Sequence, residues 1–178
     1  MARTINIGVQ GFETIRTNDD FYVDKTSFVR DWWLAHDEVT LICRPRRFGK
    51  TLNLDTVRCF FSTEFTDRGQ ELFGGLEVWD DPAMQSLQGT VPVISVSFAR
   101  VKQGTYDEML RRINRIMVAE LQAHRYLLCW DGLTAVDRMS LSQIRDDMDA
   151  ETCSDVLHKL CALLHAYHQV KPIVLLDE

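Results

Sequence analysis

From Cys43 to Thr51 the chain reads Cys-Arg-Pro-Arg-Arg-Phe-Gly-Lys-Thr, which sets three arginines and a glycine ahead of an adjacent lysine and hydroxyl. Such a set suits phosphate. Backbone N–H groups of a loop entering a helix converge where the helix dipole favours negative charge. Lys50 would add a mobile cation for the outer phosphates, and the Thr51 hydroxyl would complete the shell of a magnesium ion bridging them. Arg44, Arg46 and Arg47 carry guanidinium groups that match phosphate oxygens bidentately. The loop is framed as this chemistry requires. Val39-Thr40-Leu41-Ile42 is an apolar run that predicts a buried strand before it, and Leu54, Val57 and Phe61 lie at helical spacing after it. In the general G-x-x-x-x-G-K-[ST] pattern the first glycine falls at position 44, where this chain has Arg44 followed by Pro45. The turn leaving the strand must therefore differ from the standard one. The bland alternative is a chance Gly-Lys-Thr within a solvated basic patch.

A second segment carries complementary chemistry. Pro172-Ile173-Val174-Leu175-Leu176 is an apolar run of strand length ending in Asp177-Glu178. A run of this kind predicts a strand buried on both faces of a parallel sheet. Carboxylates just past its end fall at the sheet edge where ligands of open α/β folds bind. Asp177 would hold magnesium through water, and Glu178 would orient or deprotonate an attacking water. Solvated acids at a strand end are the competing reading. The enzymatic interpretation requires that the lysine-bearing turn and this acid pair reach one bound ion.

These segments together resemble the AAA-ATPase-like family. Its Y-V-D-K-T segment corresponds to Tyr22-Val23-Asp24-Lys25-Thr26, its R-P-R-R-F-G-K-[ST]-L-N-L loop to Arg44 through Leu54, and its I-D-E strand end to Leu176-Asp177-Glu178. Glu71-Leu72-Phe73-Gly74-Gly75-Leu76 and Pro92-Val93-Ile94-Ser95-Val96-Ser97-Phe98 are similar to two further family segments. The departure at Arg44 is one the family itself carries. The resemblance implies an α/β P-loop NTPase domain, a three-layer sandwich around a parallel sheet, that binds ATP with Mg2+. Arg46, Arg47, Phe48, Gly49, Lys50, Thr51 and Leu52 would line the nucleotide. Thr51 and Asp177 would serve the metal, and Lys50 and Glu178 catalysis. In many relatives a nuclease-like domain of the PD-(D/E)XK type follows. By the same resemblance, residues 1–178 are expected to be the N-terminal part of the domain, incomplete at the C-terminus. A central sensor-bearing strand would be missing, with poor stability, weak binding and negligible turnover as the expected result.

Composition sets wider limits. The 178 residues are 46% hydrophobic, enough for a substantial core, with a net charge of −6 and a pI near 5.4. That charge argues against non-specific nucleic-acid binding by the whole domain. No apolar stretch approaches membrane-spanning length, and no signal peptide is expected from Met1-Ala2-Arg3-Thr4. Five cysteines, odd in number and without a close pair, fit a reducing cytoplasm.

The remaining chain supplies the elements that must hold these residues. Helices are predicted from about 26 to 36, with Phe28, Val29, Trp32 and Trp33 as an apolar stripe, from a Thr105–Glu108 capping box onward, and from about 154 to 168. The box helix carries Met109, Ile113, Ile116 and Met117 on one face and a basic, solvated Arg111-Arg112-Ile113-Asn114-Arg115 stretch. The last helix presents Leu157, Leu160, Leu164 and Tyr167. Val93 to Phe98 predicts a strand, and 80–90 a surface connection. Asp24 and Thr26 suit either a helix cap or a nucleotide contact. The polar stretch 131–151 reads as a lid, an insertion or a plain loop. His158, Cys161, His165 and His168 have helical spacing that could bind a metal, but no carboxylate supports the last two, which favours packing. The leading reading is a cytoplasmic ATP-binding domain; the alternative is a non-hydrolysing nucleotide-binding or protein-interaction module.

Overall fold

Local side-chain caps open half of the α-helices among the described residues. The computed structural model describes residues 8–43, 45 and 48–177. Arg44, Arg46, Arg47 and Glu178 lie outside the described residues. Contacts divide the chain into two compact units, the first running to Val93 and the second from Ile94 onward.

The first unit contains α1 (Phe12–Thr17), α2 (Ser27–Ala35), α3 (Lys50–Phe61), α4 (Gly69–Phe73) and α5 (Pro82–Leu87), with short 3-10 turns at Thr63–Phe65 and Glu77–Asp80. Its centre is aromatic. Phe12, Phe60, Phe61 and Phe73 are fully buried, and Phe12 stacks on Phe73 with ring centroids 4.9 Å apart. Trp33 of α2 stacks on Phe61 of α3 at 4.8 Å, so the predicted stripe packs inward. The expected surface connection at 80–90 contains α5. Asp81 caps it by accepting the Ala83 amide, and Pro82 occupies its first turn. Gly89 follows at φ 68°, and a Cβ there would lie 2.4 Å from the Thr66 Cα, so only glycine fits.

One expectation is corrected here. Val39–Ile42 forms no strand, and Val39 and Leu41 are 89% and 84% exposed. Apolar content favours a strand only when a neighbouring strand takes up its backbone N–H and C=O groups. No such ladder exists for this segment among the described residues.

The second unit holds β1 (Val93–Ser97, beginning at the boundary), α6 (Tyr106–Ala123), α7 (Ala135–Ser142), α8 (Ala150–His168) and β2 (Ile173–Asp177), with a 3-10 turn at Arg125–Cys129. Thr105 caps α6 through the Glu108 amide, and Asp149 caps α8 through the Thr152 amide. The polar 131–151 stretch contains α7, opened by a complete Thr134–Asp137 capping box. The two strands pair in one sheet, parallel in sense, with α6, α7 and α8 in the crossover. The fold is therefore mixed α/β. Two strands alone are marginal; packing of Ile94 and Val96 with Met117, Leu121, Val156, Leu160 and Leu164 supplies the core.

Two details depart from the sequence reading. β2 is not buried on both faces: Leu175 is buried, whereas Val174 and Leu176 are 40% and 57% exposed. Asn114, placed within a solvated basic stretch, is fully buried. Its Nδ2 donates to the carbonyls of Asp146 (3.2 Å) and Met148 (2.8 Å), tying α6 to the connection before α8.

Two histidines of the second unit, His124 and His168, do structural work. Tyr126 Oη lies 2.8 Å from His168 Nε2 and 3.3 Å from His124 Nδ1. Burial holds the His168 imidazole below its ordinary 6.5. On acidification the unfolded chain takes up this proton before the folded chain does. Stability is therefore unaffected well above about pH 6.5 and declines as pH falls below it toward the lower folded value. Urea midpoints measured between pH 8 and 5.5 should fall toward acid, with a shallower decline in His168→Gln; an equal slope in both proteins would contradict this.

Candidate functional site

The first turn of α3 is built to be electropositive. Gly49 is its N-cap, in a left-handed conformation with φ 75° and ψ 20° that an L side chain adopts only under strain. Its carbonyl accepts the Asn53 amide at 2.9 Å, starting the helix ladder. Lys50, Thr51 and Leu52 follow in the first turn, half-buried, and Phe48 is 60% exposed just before it. The leading amides of a helix have no acceptor within the helix, and no acidic residue lies in this first turn. A lysine there opposes the helix dipole. An anion bound at this end would resolve both costs.

Neighbouring elements lock α3 in place. Asp55, one turn after Thr51, accepts the Phe12 amide at 2.7 Å through Oδ2 and the Arg58 Nε at 2.8 Å through Oδ1. Arg16 of α1 donates to the carbonyls of Leu72 (2.6 Å) and Gly74 (2.8 Å). Tyr22 is hydrogen-bonded to Thr56, and burial outweighs that bond to push its phenol up. The open question at Asp24-Lys25-Thr26 has a structural answer. Asp24 Oδ1 accepts the Thr26 amide and hydroxyl (2.8 and 2.7 Å), and Oδ2 accepts the Glu77 amide (2.8 Å). The buried Thr26 hydroxyl accepts the Val78 amide at 3.1 Å. Burial would raise the Asp24 carboxyl, but these bonds hold it below its ordinary range. The pair thus joins the start of α2 to the Glu77–Asp80 turn.

Asp177 ends β2 in the second unit, half-buried, and its carbonyl accepts the Phe98 amide at 2.8 Å. It therefore stands at the carboxyl end of a strand, as the sequence predicts. Gly49, Lys50 and Thr51 belong to the first unit. On α8, His158 and His165 are exposed, and no group of three or more metal-ligating side chains forms among the described residues. No helix among the described residues is long and apolar enough to cross a membrane.

Sequence reasoning missed Asp55, Arg16 and the α1 clasp they form. Asp55 looks like a solvated helix acid, and its partner amide is 43 residues distant in the chain. No local pattern marks such a pair.

All five cysteines are free. Burial, and secondarily the Asp55 charge, pushes the Cys59 thiol up to about 12. Cys43, just before the loop, and Cys129 are exposed. Since the thiolate is the nucleophile, alkylation at pH 8 followed by peptide mass spectrometry should label Cys43 and Cys129 quickly and Cys59 only after denaturation. Labelling of Cys59 in the folded protein at the rate of Cys43 would refute this.

Comparison with known proteins agrees with the resemblance. Residues 6–178 match the family described as "Predicted AAA-ATPase". A protein of Azotobacter chroococcum mcd 1, described as an uncharacterized protein in the vnfD 5' region, is 40% identical over 79 residues. Those residues are 44% of this chain and 14% of that protein. No solved structure matches the chain. A match over nearly every residue, with the Gly-Lys-Thr turn heading a helix inside it, means that this chain belongs to the AAA-ATPase-like family.

Proposed function

We propose that this chain is an ATP-binding domain of the P-loop NTPase kind, a three-layer α/β sandwich, whose α3 N-terminus holds the nucleotide phosphates. The single observation carrying the reading is the left-handed Gly49 cap that starts α3 with Lys50 and Thr51 in an acid-free first turn. Backbone amides there would bind phosphate oxygens, and Lys50 would neutralise the charge growing on them. Arg46, Arg47, Phe48 and Leu52 would complete the nucleotide contacts. The Thr51 hydroxyl at this turn is the kind of oxygen that Mg2+, a hard cation taking few protein ligands, would accept beside phosphate. When bound, Mg2+ would neutralise phosphate charge. Glu178 would orient the attacking water. Five free thiols support a reducing, cytoplasmic setting.

Calorimetric titration with ATP, with and without Mg2+, tests this. Magnesium-enhanced binding that weakens in Lys50→Ala supports it; no binding, or equal binding in the variant, overturns it. Binding without phosphate release would favour the non-hydrolysing module instead.

A further inference from the structure

Beside its aromatic packing, the helix that carries the Gly-Lys-Thr turn is tied to α1 by one carboxylate. Asp55 has a side chain only 17% exposed, and its Oδ2 accepts the first amide of α1 at 2.7 Å. That amide belongs to Phe12, and the α1 cap, Gly11, has no side chain with which to satisfy the helix end. A Cβ on Gly11 would come within 3.9 Å of the same Asp55 oxygen. Asp55 thus caps α1 from another helix. The other carboxylate oxygen holds Arg58, which also pairs with Glu64 at 3.0 Å, so the carboxylate is gripped from both sides.

The clasp is rigid at its far end. α1 is six residues long and too short to persist without tertiary contacts. The fully buried Phe12 ring stacks on Phe73, and Arg16 binds two carbonyls at the end of α4. A short helix held at α4 and bonded to Asp55 restrains rotation and sliding of α3 one turn from Thr51.

Resting on the nucleotide-binding reading, we infer that Asp55 is a positioning residue: through the Phe12 amide it sets the direction of the first turn of α3, and with it the Gly49, Lys50 and Thr51 groups that meet phosphate. Misplacement of binding groups by a fraction of an ångström weakens them disproportionately. Removing the carboxylate therefore loosens nucleotide as well as the fold, and an acceptor restored at the same place recovers both.

The probe is MgATP, titrated into wild type, Lys50→Ala, Asp55→Ala, Asp55→Asn and Asp55→Glu, with circular dichroism verifying folding at the titration temperature. Asp55→Ala is expected to weaken binding about tenfold while still folded, and Asp55→Asn, which keeps an acceptor for the Phe12 amide, to stay within about threefold of wild type. Should the alanine variant not fold, Asp55→Glu, which shifts the carboxylate by one methylene, is expected to weaken binding in its place. A folded Asp55→Ala or Asp55→Glu protein with a lowered melting temperature and unchanged affinity overturns the inference, leaving Asp55 a purely structural residue. The function it rests on fails separately: wild type that binds no MgATP, or binds it no better than Lys50→Ala, overturns both.

Discussion

Lys50→Ala is expected to weaken MgATP binding about 10- to 100-fold, because a hydrogen bond to a charged group contributes roughly 1.5–3 kcal/mol. The free protein should respond in the opposite sense. Lys50 occupies the first helical position of α3, where no acidic residue offsets it, and a cation at a helix N-terminus is disfavoured by about 0.3–1 kcal/mol. Alanine is also the best helix former. The variant should therefore melt at the same temperature as wild type or slightly higher when free, yet gain less from added nucleotide. This opposition of signs separates a ligand-binding lysine from one that merely supports the fold. Melting curves with and without MgATP, read beside the calorimetric affinity, provide the check. A variant that is less stable when free but binds normally would contradict the assignment.

Phe60→Ala is expected to produce the largest loss of stability, about 3–5 kcal/mol. Against typical domain stabilities of about 5–15 kcal/mol, that is a large share. Phe60 is fully buried on the inner face of α3. Its ring meets Phe61 edge-on at 5.0 Å and Phe73 edge-on at 4.9 Å. Both neighbours make further ring contacts, Phe73 with Phe12 and Phe61 with Trp33. Rings braced in this way cannot collapse into the space left by a lost phenyl, so most of the cavity would persist. Because α3 also carries the Gly-Lys-Thr turn, nucleotide affinity should fall in parallel with stability. Urea unfolding at 25 °C measures the first effect; a loss under about 1 kcal/mol would mean that the aromatic cluster repacks freely.

Both predictions concern one helix whose existence was legible in sequence but whose setting was not. The sequence alone determined α2, α3, α6 and α8, because helical periodicity and caps such as Thr105 are local signals within a few residues. The Thr134–Asp137 box opening α7 was equally local, although the surrounding polar composition concealed it. The sequence also carried the resemblance to the family, which the match over residues 6–178 bears out.

Tertiary structure decided the rest. Val39–Ile42 has the composition of a strand but remains exposed without a ladder among the described residues, whereas Ile173–Asp177 becomes a strand with Val93–Ser97 beside it. Asp24 and Thr26 could have faced a nucleotide; the Glu77 and Val78 amides, more than 50 residues away, claim them instead. Asp55 carries no sequence signal, since the amide that gives it a role arrives only when α1 docks. Helices close their hydrogen bonds within themselves and so can be read locally, but strands, clasps and buried carboxylates acquire meaning only from partners that folding brings from elsewhere in the chain.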